Sequence, residues 1–424
     1  MERTKSEFHT HLLGMLSGKE LLKMVSQYVD YVYWPLNSAI DKNSKLVSTK
    51  DLIDNEEALS QLEIKYGTQI TYDKLKNYYQ TRAAIISYLS SIVYFADENA
   101  PCELSRLFLD EKTSQNYENI FKNYQLNCLM SILTYVNNDK KINKNKSDRV
   151  FQCVYSDYLN RSLIELINMN CKYVEVSYSN YRTISLLKID SQLQEKIKCK
   201  FLLSTERDRR VRQMKYCVNE LKEGLKKGFI VGVDIMGKEL PLTDNEKKYA
   251  KNSYSRSFKR KLEMLVDVLK DDSNGVNTLR IHSGESKISL GNTEWILETL
   301  LEIKEKHNLS NPLHEILPPP EIRIGHGVYF DKENTKYVEM LKKLGVIVEI
   351  NASSNFALKN IDSHNALPYD FYLKNGISIV LSTDGHGLYD TSLTKESDIA
   401  RQNSGNYEEI FKFEEVLLGG KMKR

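Results

Sequence analysis

Four short motifs in this chain of 424 residues carry groups that could hold a metal ion and move protons. Phe8-His9-Thr10-His11 is a His-x-His. On a β-strand, where side chains alternate, both imidazoles point to one side and Thr10 points away, which is a chelating geometry. Buried histidines with satisfied hydrogen bonds are common, so the pair gains weight only from company. That company is His282-Ser-Gly-Glu285, Gly325-His326-Gly327 and Ser382-Thr383-Asp384-Gly385. Three histidines and one carboxylate are reasonable ligands for zinc, leaving a position for a water whose pKa the metal pulls towards about 7.

Such groups act together only if the fold brings them together. Short β-rich runs followed by longer helical patterns predict eight strands, at about 6–11, 173–178, 200–204, 229–235, 278–283, 321–326, 346–351 and 377–383. Val346-Ile-Val-Glu-Ile350 and Ile377-Ser-Ile-Val-Leu381 are nearly continuous in apolar residues, as strands covered on both faces should be. Eight such units predict an α/β fold, a (β/α)8 barrel spanning residues 1–424 as one domain. The four motifs then fall at the ends of strands one, five, six and eight, on the C-terminal face where barrel enzymes hold their active sites. The long segment after strand one, residues 18–170, has helical patterning and is expected to be a helical insertion that could form a lid or an oligomer contact. Within it, residues 137–149 are polar, basic and low in complexity, the composition of a solvated loop. Leu317-Pro-Pro-Pro-Glu321 should halt a helix before strand six. An amphipathic run at 407–418 should close the barrel.

Composition narrows the partners. With 60 Lys+Arg against 57 Asp+Glu the net charge is +3, which advertises no polyanion, and the Pro-Cys-x-x-Cys motif of base-flipping deaminases is absent. A polynucleotide substrate is therefore not expected. No apolar run approaches the roughly 20 residues needed to cross a bilayer, and the first motif follows Met1 at once, so the expected compartment is the cytoplasm, without membrane contact. Six cysteines stand singly and are expected to be reduced thiols.

In this order the motifs resemble the adenosine and AMP deaminase family of metal-dependent hydrolases, over nearly the whole barrel. The resemblance implies that His9, His11, His282 and Asp384 hold one zinc ion per subunit, and that a zinc-activated water attacks C6 of a 6-aminopurine with loss of ammonia. It implies that Glu285 protonates the ring nitrogen N1, that His326 orients the water and accepts its proton, and that Asp384 also directs the attack. Protonating N1 needs a carboxyl group that keeps its proton near neutral pH, which a desolvated pocket favours. Asp234-Ile-Met-Gly237 matches an Asp-x-x-Gly whose glycine amide contacts the purine, and His11 is expected beside the substrate as well. The bridging lysine of binuclear relatives is missing from Val231-Gly-Val-Asp-Ile235, so one metal is expected.

The chain also departs from the family. Gly385 stands where a second aspartate reaches purine N7, and neighbouring His386 could serve the same acceptor or lie at the surface. Leu13 stands where an acidic or amide group lies near the ribose 5′-hydroxyl; its loss removes repulsion against a 5′-phosphate, which Arg207 and Arg209 could bind. The expected substrate is an adenine nucleoside or its 5′-monophosphate, ribo or deoxy. A role in antiviral defence or nucleotide signalling, and an inactive purine sensor suggested by Gly385, are the alternatives.

Overall fold

The computed structural model describes residues 3–17, 20, 33–35, 46–48, 144–237, 239, 254–270, 277–285, 290–306, 320–358 and 360–423. Eight parallel strands form one sheet in chain order: β1 Lys5–His11, β2 Cys171–Tyr178, β3 Lys198–Glu206, β4 Ile230–Met236, β5 Thr278–Ser283, β6 Glu321–His326, β7 Ile347–Ile350 and β8 Ser378–Leu381. A parallel bridge between Thr10 and Asp384 joins the first strand to the loop after the last. The Asp384 amide donates to the His9 carbonyl at 2.9 Å and the His11 amide to the Asp384 carbonyl at 3.1 Å. The eight predicted strands are all present, and the barrel is closed at the end where the motifs lie.

Helices cover the outer face because parallel strands must be joined by crossovers that bury both faces of the sheet. They include α1 Lys144–Asn168, α2 Val211–Lys227, α3 Tyr254–Leu269, α4 Asn292–Lys306, α5 Thr335–Leu344, α6 Leu393–Asn403 and α7 Tyr407–Lys423. Helix α5 shows how sequence sets their limits. The Asn334 side chain accepts from the Lys336 amide at its start, and Gly345 takes a left-handed φ of 62° at its end. One stripe of α2, through Met214, Cys217, Leu221 and Leu225, is buried against the sheet.

Two expectations change. Residues 144–149, read as part of a solvated loop, are the first turns of α1, while 137–143 lie outside the described residues. The insertion is not wholly helical, since Tyr33–Pro35 and Leu46–Ser48 pair as antiparallel strands. Most of the insertion between residues 21 and 143, and residues 317–319, lie outside the described residues. Among the described residues, Cys171, Cys199 and Cys217 are free thiols, and no helix is long and apolar enough to cross a membrane.

The barrel interior differs from an ordinary apolar filling. At the end away from the motifs, Phe8, Tyr173, Ile347 and Val380 pack with Leu417 and Leu418 of α7. Above them lies a layer of buried charge: Glu175 of β2, Arg280 of β5, Arg323 of β6 and Glu349 of β7 are all fully buried. A register shift between Glu7 and Thr10 in β1 accompanies a Phe8 carbonyl that accepts from Arg280 at 3.0 Å.

Candidate active site

Strand β1 delivers His9 and His11 to the C-terminal mouth, with ring centroids 5.4 Å apart. His282 ends its run on β5, and its ring lies 4.6 Å from that of His9 and 5.2 Å from that of His11. His326 ends β6, with its Nε2 3.3 Å from His282 Nδ1 and 3.8 Å from Glu285 Oε1. Gly325 makes this crowding possible, because a Cβ there would stand 2.8 Å from His9 Cε1. Asp384 approaches from the β8 loop, its Oδ1 3.3 Å from His11 Nε2 and 3.5 Å from His9 Nε2. His326 and Asp384 hold left-handed φ values of 72° and 63°, which non-glycine residues adopt at a cost of about 1–3 kcal/mol each and which gather at functional sites.

Donor atoms of His9, His11 and His282 lie within 4.8 Å of one another, as do those of His9, His326 and Asp384, and those of His282, Glu285 and His326. The chemistry of this set fits a divalent cation. His9 Nε2 and His326 Nδ1 are buried nitrogens without a hydrogen-bond partner, although buried polar atoms are almost always paired. Burial, with further repulsion from Arg280, holds the His9 imidazole well below its usual pKa. For His11, burial outweighs the attraction of Asp384 and lowers the value to about 4. Both rings are therefore neutral at pH 7 and keep the lone pair a metal needs. His282 differs: burial opposes its charge, but Asp234 overrides burial and raises its pKa.

A second set of groups holds these in place, and sequence reasoning passed over most of it. Asp234 of β4, noticed only as the head of the Asp-x-x-Gly motif, is fully buried with Oδ1 3.3 Å from His282 Nε2. Burial pushes the Asp234 carboxyl up, but Arg280 and the imidazoles prevail and hold it well below the usual carboxylate range. Glu349 Oε2 lies 2.8 Å from His9 Nδ1, and the Asn351 amide nitrogen lies 3.3 Å from the same atom. Burial pushes the Glu349 carboxyl up, against Arg280 and Arg323, which favour its ionised form. Glu7 accepts from the His9 and Thr383 amides and the Thr383 hydroxyl, tying β1 to the β8 loop, and its burial raises its pKa to about 8. Glu239 accepts from the Ser283 hydroxyl and the amides of Gly284 and Glu285, fixing the turn that carries Glu285. The available signal was a charged residue inside an otherwise apolar strand, as in Val346-Ile-Val-Glu-Ile350.

The expected substrate contacts separate. Gly237 has a φ of 97°, a conformation that favours glycine, and its carbonyl accepts from Arg207 Nε at 3.2 Å. Arg207 is buried rather than part of a solvated loop; it also donates to the His282 carbonyl, and its remaining terminal nitrogen has no hydrogen-bond partner. The Arg209 side chain instead lies by Cys217 and Glu220 of α2. His386 is buried, not surface, with Nε2 3.3 Å from Glu165 Oε2 of α1, and Glu165 also accepts from the Ser17 amide at 2.9 Å. A side chain at Gly385 would put its Cβ 3.0 Å from the Gly14 carbonyl, so the backbone after β1 fills the place where the family's second aspartate begins. Leu13 is partly buried against the main core.

An eight-stranded parallel barrel with imidazoles and carboxylates converging at the C-terminal ends of its strands is a TIM barrel with its candidate active site on the face where such barrels hold theirs. More narrowly, residues 320–415 are similar to the adenosine deaminase family model. The chain is 27% identical over 140 residues to an adenosine deaminase of Clostridium botulinum (strain Langeland), a match covering 33% of this chain and 36% of that protein. An adenosine deaminase of Shewanella pealeana is 31% identical over 80 residues, 19% of this chain and 24% of the relative. These matches thus span about a third or less of the curated relatives. Two solved structures share the fold at 17% identity: Arabidopsis N6-mAMP deaminase, with a TM-score of 0.50 over 98% of this chain and 92% of that one, and Arabidopsis ADAL complexed with IMP, with 0.51 over 98% and 91%.

Proposed function

We propose that the protein is a zinc-dependent hydrolase that removes the 6-amino group of an adenine nucleoside or its 5′-monophosphate as ammonia. The observation that carries this is the convergence of His9, His11, His282 and Asp384 beside Glu285 and His326, groups drawn from β1, β5, β6 and the β8 loop. Zinc, when bound, supplies a Lewis acid and a water whose pKa falls towards about 7. His9, His11, His282 and Asp384 are the residues that would hold it. His326 orients the attacking water and takes its proton, a role served by a ring that Gly325 and the strained backbone fix in one place. Addition at purine C6 pushes charge onto N1, and Glu285, set by Glu239 at the edge of the cluster, gives N1 its proton. The Gly237 amide contacts the purine, and the carbonyl of the same residue is anchored by Arg207. Leu13 in place of an acidic group removes repulsion against a 5′-phosphate, for which Arg207 and Arg209 are the candidate contacts.

The test is ammonia release from zinc-loaded protein given adenosine, deoxyadenosine, AMP and dAMP separately, with the purine products separated by chromatography. Release with conversion to the 6-oxopurine on at least one of the four is expected. Intact substrates in all four reactions, from protein shown to contain zinc, would refute the reading.

A further inference from the structure

Glu349 lies on β7, the strand between those that carry His326 and Asp384, and it contributes none of the candidate ligands. Its carboxylate nevertheless contacts one of them. Oε2 stands 2.8 Å from His9 Nδ1 and 3.1 Å from Arg280 Nε. Oε1 stands 3.1 Å from Arg323 Nη1. Arg280 is held in turn by the Ser177 hydroxyl at 3.1 Å and the Phe8 carbonyl at 3.0 Å, and Arg323 by Glu175 at 3.0 Å and by Glu321. Every one of these groups is buried. The carboxylate is thus clamped between two guanidinium groups before it meets the imidazole.

Glu349 Oε2, at 2.8 Å, is the nearer of two polar neighbours of His9 Nδ1; the Asn351 amide nitrogen lies 3.3 Å from the same atom. The candidate ligand cluster lies on the Nε2 side of the His9 ring, so a ring that offers Nε2 to an ion carries its own proton on Nδ1, the side on which Glu349 Oε2 stands. The lone pair of the neutral ring is then on Nε2, the nitrogen that is buried, unpartnered and 3.5 Å from Asp384. We propose that Glu349 is a positioning residue for the metal centre: with Arg280 and Arg323 behind it, it fixes the tautomer and ring orientation of His9 so that Nε2 faces the ion. Carboxylates behind metal-bound histidines act this way generally, and their loss weakens metal binding about 10–100-fold. The proposal deepens the metal-centre reading and rests on it.

Two measurements test it. Zinc affinity of wild-type protein and Glu349→Gln is compared by competition with a chromophoric chelator, and the d–d absorption of both is recorded with cobalt in place of zinc. The substitution is expected to weaken zinc binding about 10–100-fold and to shift the cobalt spectrum. Equal affinity with an unchanged spectrum would overturn the proposal, even if the variant were less stable. Should Glu349→Gln fail to fold, 15N-histidine spectra of zinc-loaded wild-type protein, assigned with His9→Asn, read the tautomer directly. Protonated Nδ1 is expected at His9, and a protonated Nε2 would overturn the proposal. Wild-type protein that binds no zinc would remove the metal-centre reading itself, an outcome distinct from zinc bound equally by both proteins.

Discussion

Arg280→Met isolates what the buried charge layer contributes. Methionine preserves most of the apolar stem and takes away the guanidinium, which lies 3.1 Å from Glu349 and 3.5 Å from Asp234 and donates to Ser177 and the Phe8 carbonyl. Removing one partner of a buried ion pair costs about 3–5 kcal/mol, because the other charge remains without compensation. Glu349 keeps Arg323, so the cost falls mainly on Asp234 and the Phe8 carbonyl, and about 4 kcal/mol is expected. At about 2.1 cal/mol/K per residue the unfolding entropy of a chain this long is near 0.9 kcal/mol/K, which places the fall in Tm at about 4–5 °C. The loss should depend on pH in a definite direction. Asp234 is held below its usual pKa in the folded protein, so its contribution is present above about pH 4 and fades as pH falls through the depressed value. Without Arg280 the buried carboxyl takes up a proton instead. The gap between wild type and variant should therefore be widest near pH 7 and narrow as the pH approaches 4. Scanning calorimetry across that range reads both effects. A Tm within 1 °C of wild type at pH 7, or a gap that widens towards acid, would refute the reasoning.

Other perturbations read other parts of the account. Glu285→Gln should lower ammonia release by at least about 10²–10⁴-fold with zinc content unchanged by metal analysis, and near-wild-type rates would remove Glu285 as the N1 acid. His9→Ala and Asp384→Ala should each reduce the zinc retained after dialysis, and full occupancy in either would sink its assignment as a ligand. Lys421→Met, at the end of α7, removes the cation 3.4 and 3.1 Å from Glu175 and Glu321, which both keep Arg323, and should cost roughly 1.5–3 kcal/mol at neutral pH. Burial opposes the charge of Glu175, but Arg323 and Lys421 lower its pKa to about 2, so that deficit should shrink below about pH 4.5; urea unfolding at pH 7 and pH 4 checks it.

Much of the fold could be read from the sequence because parallel barrel strands leave a plain mark. Their runs are nearly continuous in apolar residues, and 278–283 and 321–326 coincide with β5 and β6 to the residue. The motifs were legible for a related reason: histidines at strand ends are few, and eight in the whole chain can each be inspected. The charge layer was hidden by the same regularity. Arg280 and Glu349 each interrupt one apolar run, and only closure of the sheet shows that they face each other across the interior. Polar residues at 144–149 read as loop because composition does not reveal that the helix they begin becomes buried further along, at Tyr155, Tyr158 and Leu159. His386 looked indifferent because its partner, Glu165, is more than two hundred residues away in the chain.

Hydrolytic deamination is tested most directly by the fate of oxygen at purine C6. Zinc-loaded protein is incubated in 18O-labelled water with adenosine, deoxyadenosine, AMP and dAMP in turn, and product mass is recorded alongside ammonia. The account predicts a 6-oxopurine carrying one 18O atom per ammonia released for at least one substrate, and none with Glu285→Gln. Zinc-containing wild-type protein that leaves all four 6-aminopurines unlabelled and intact would contradict it.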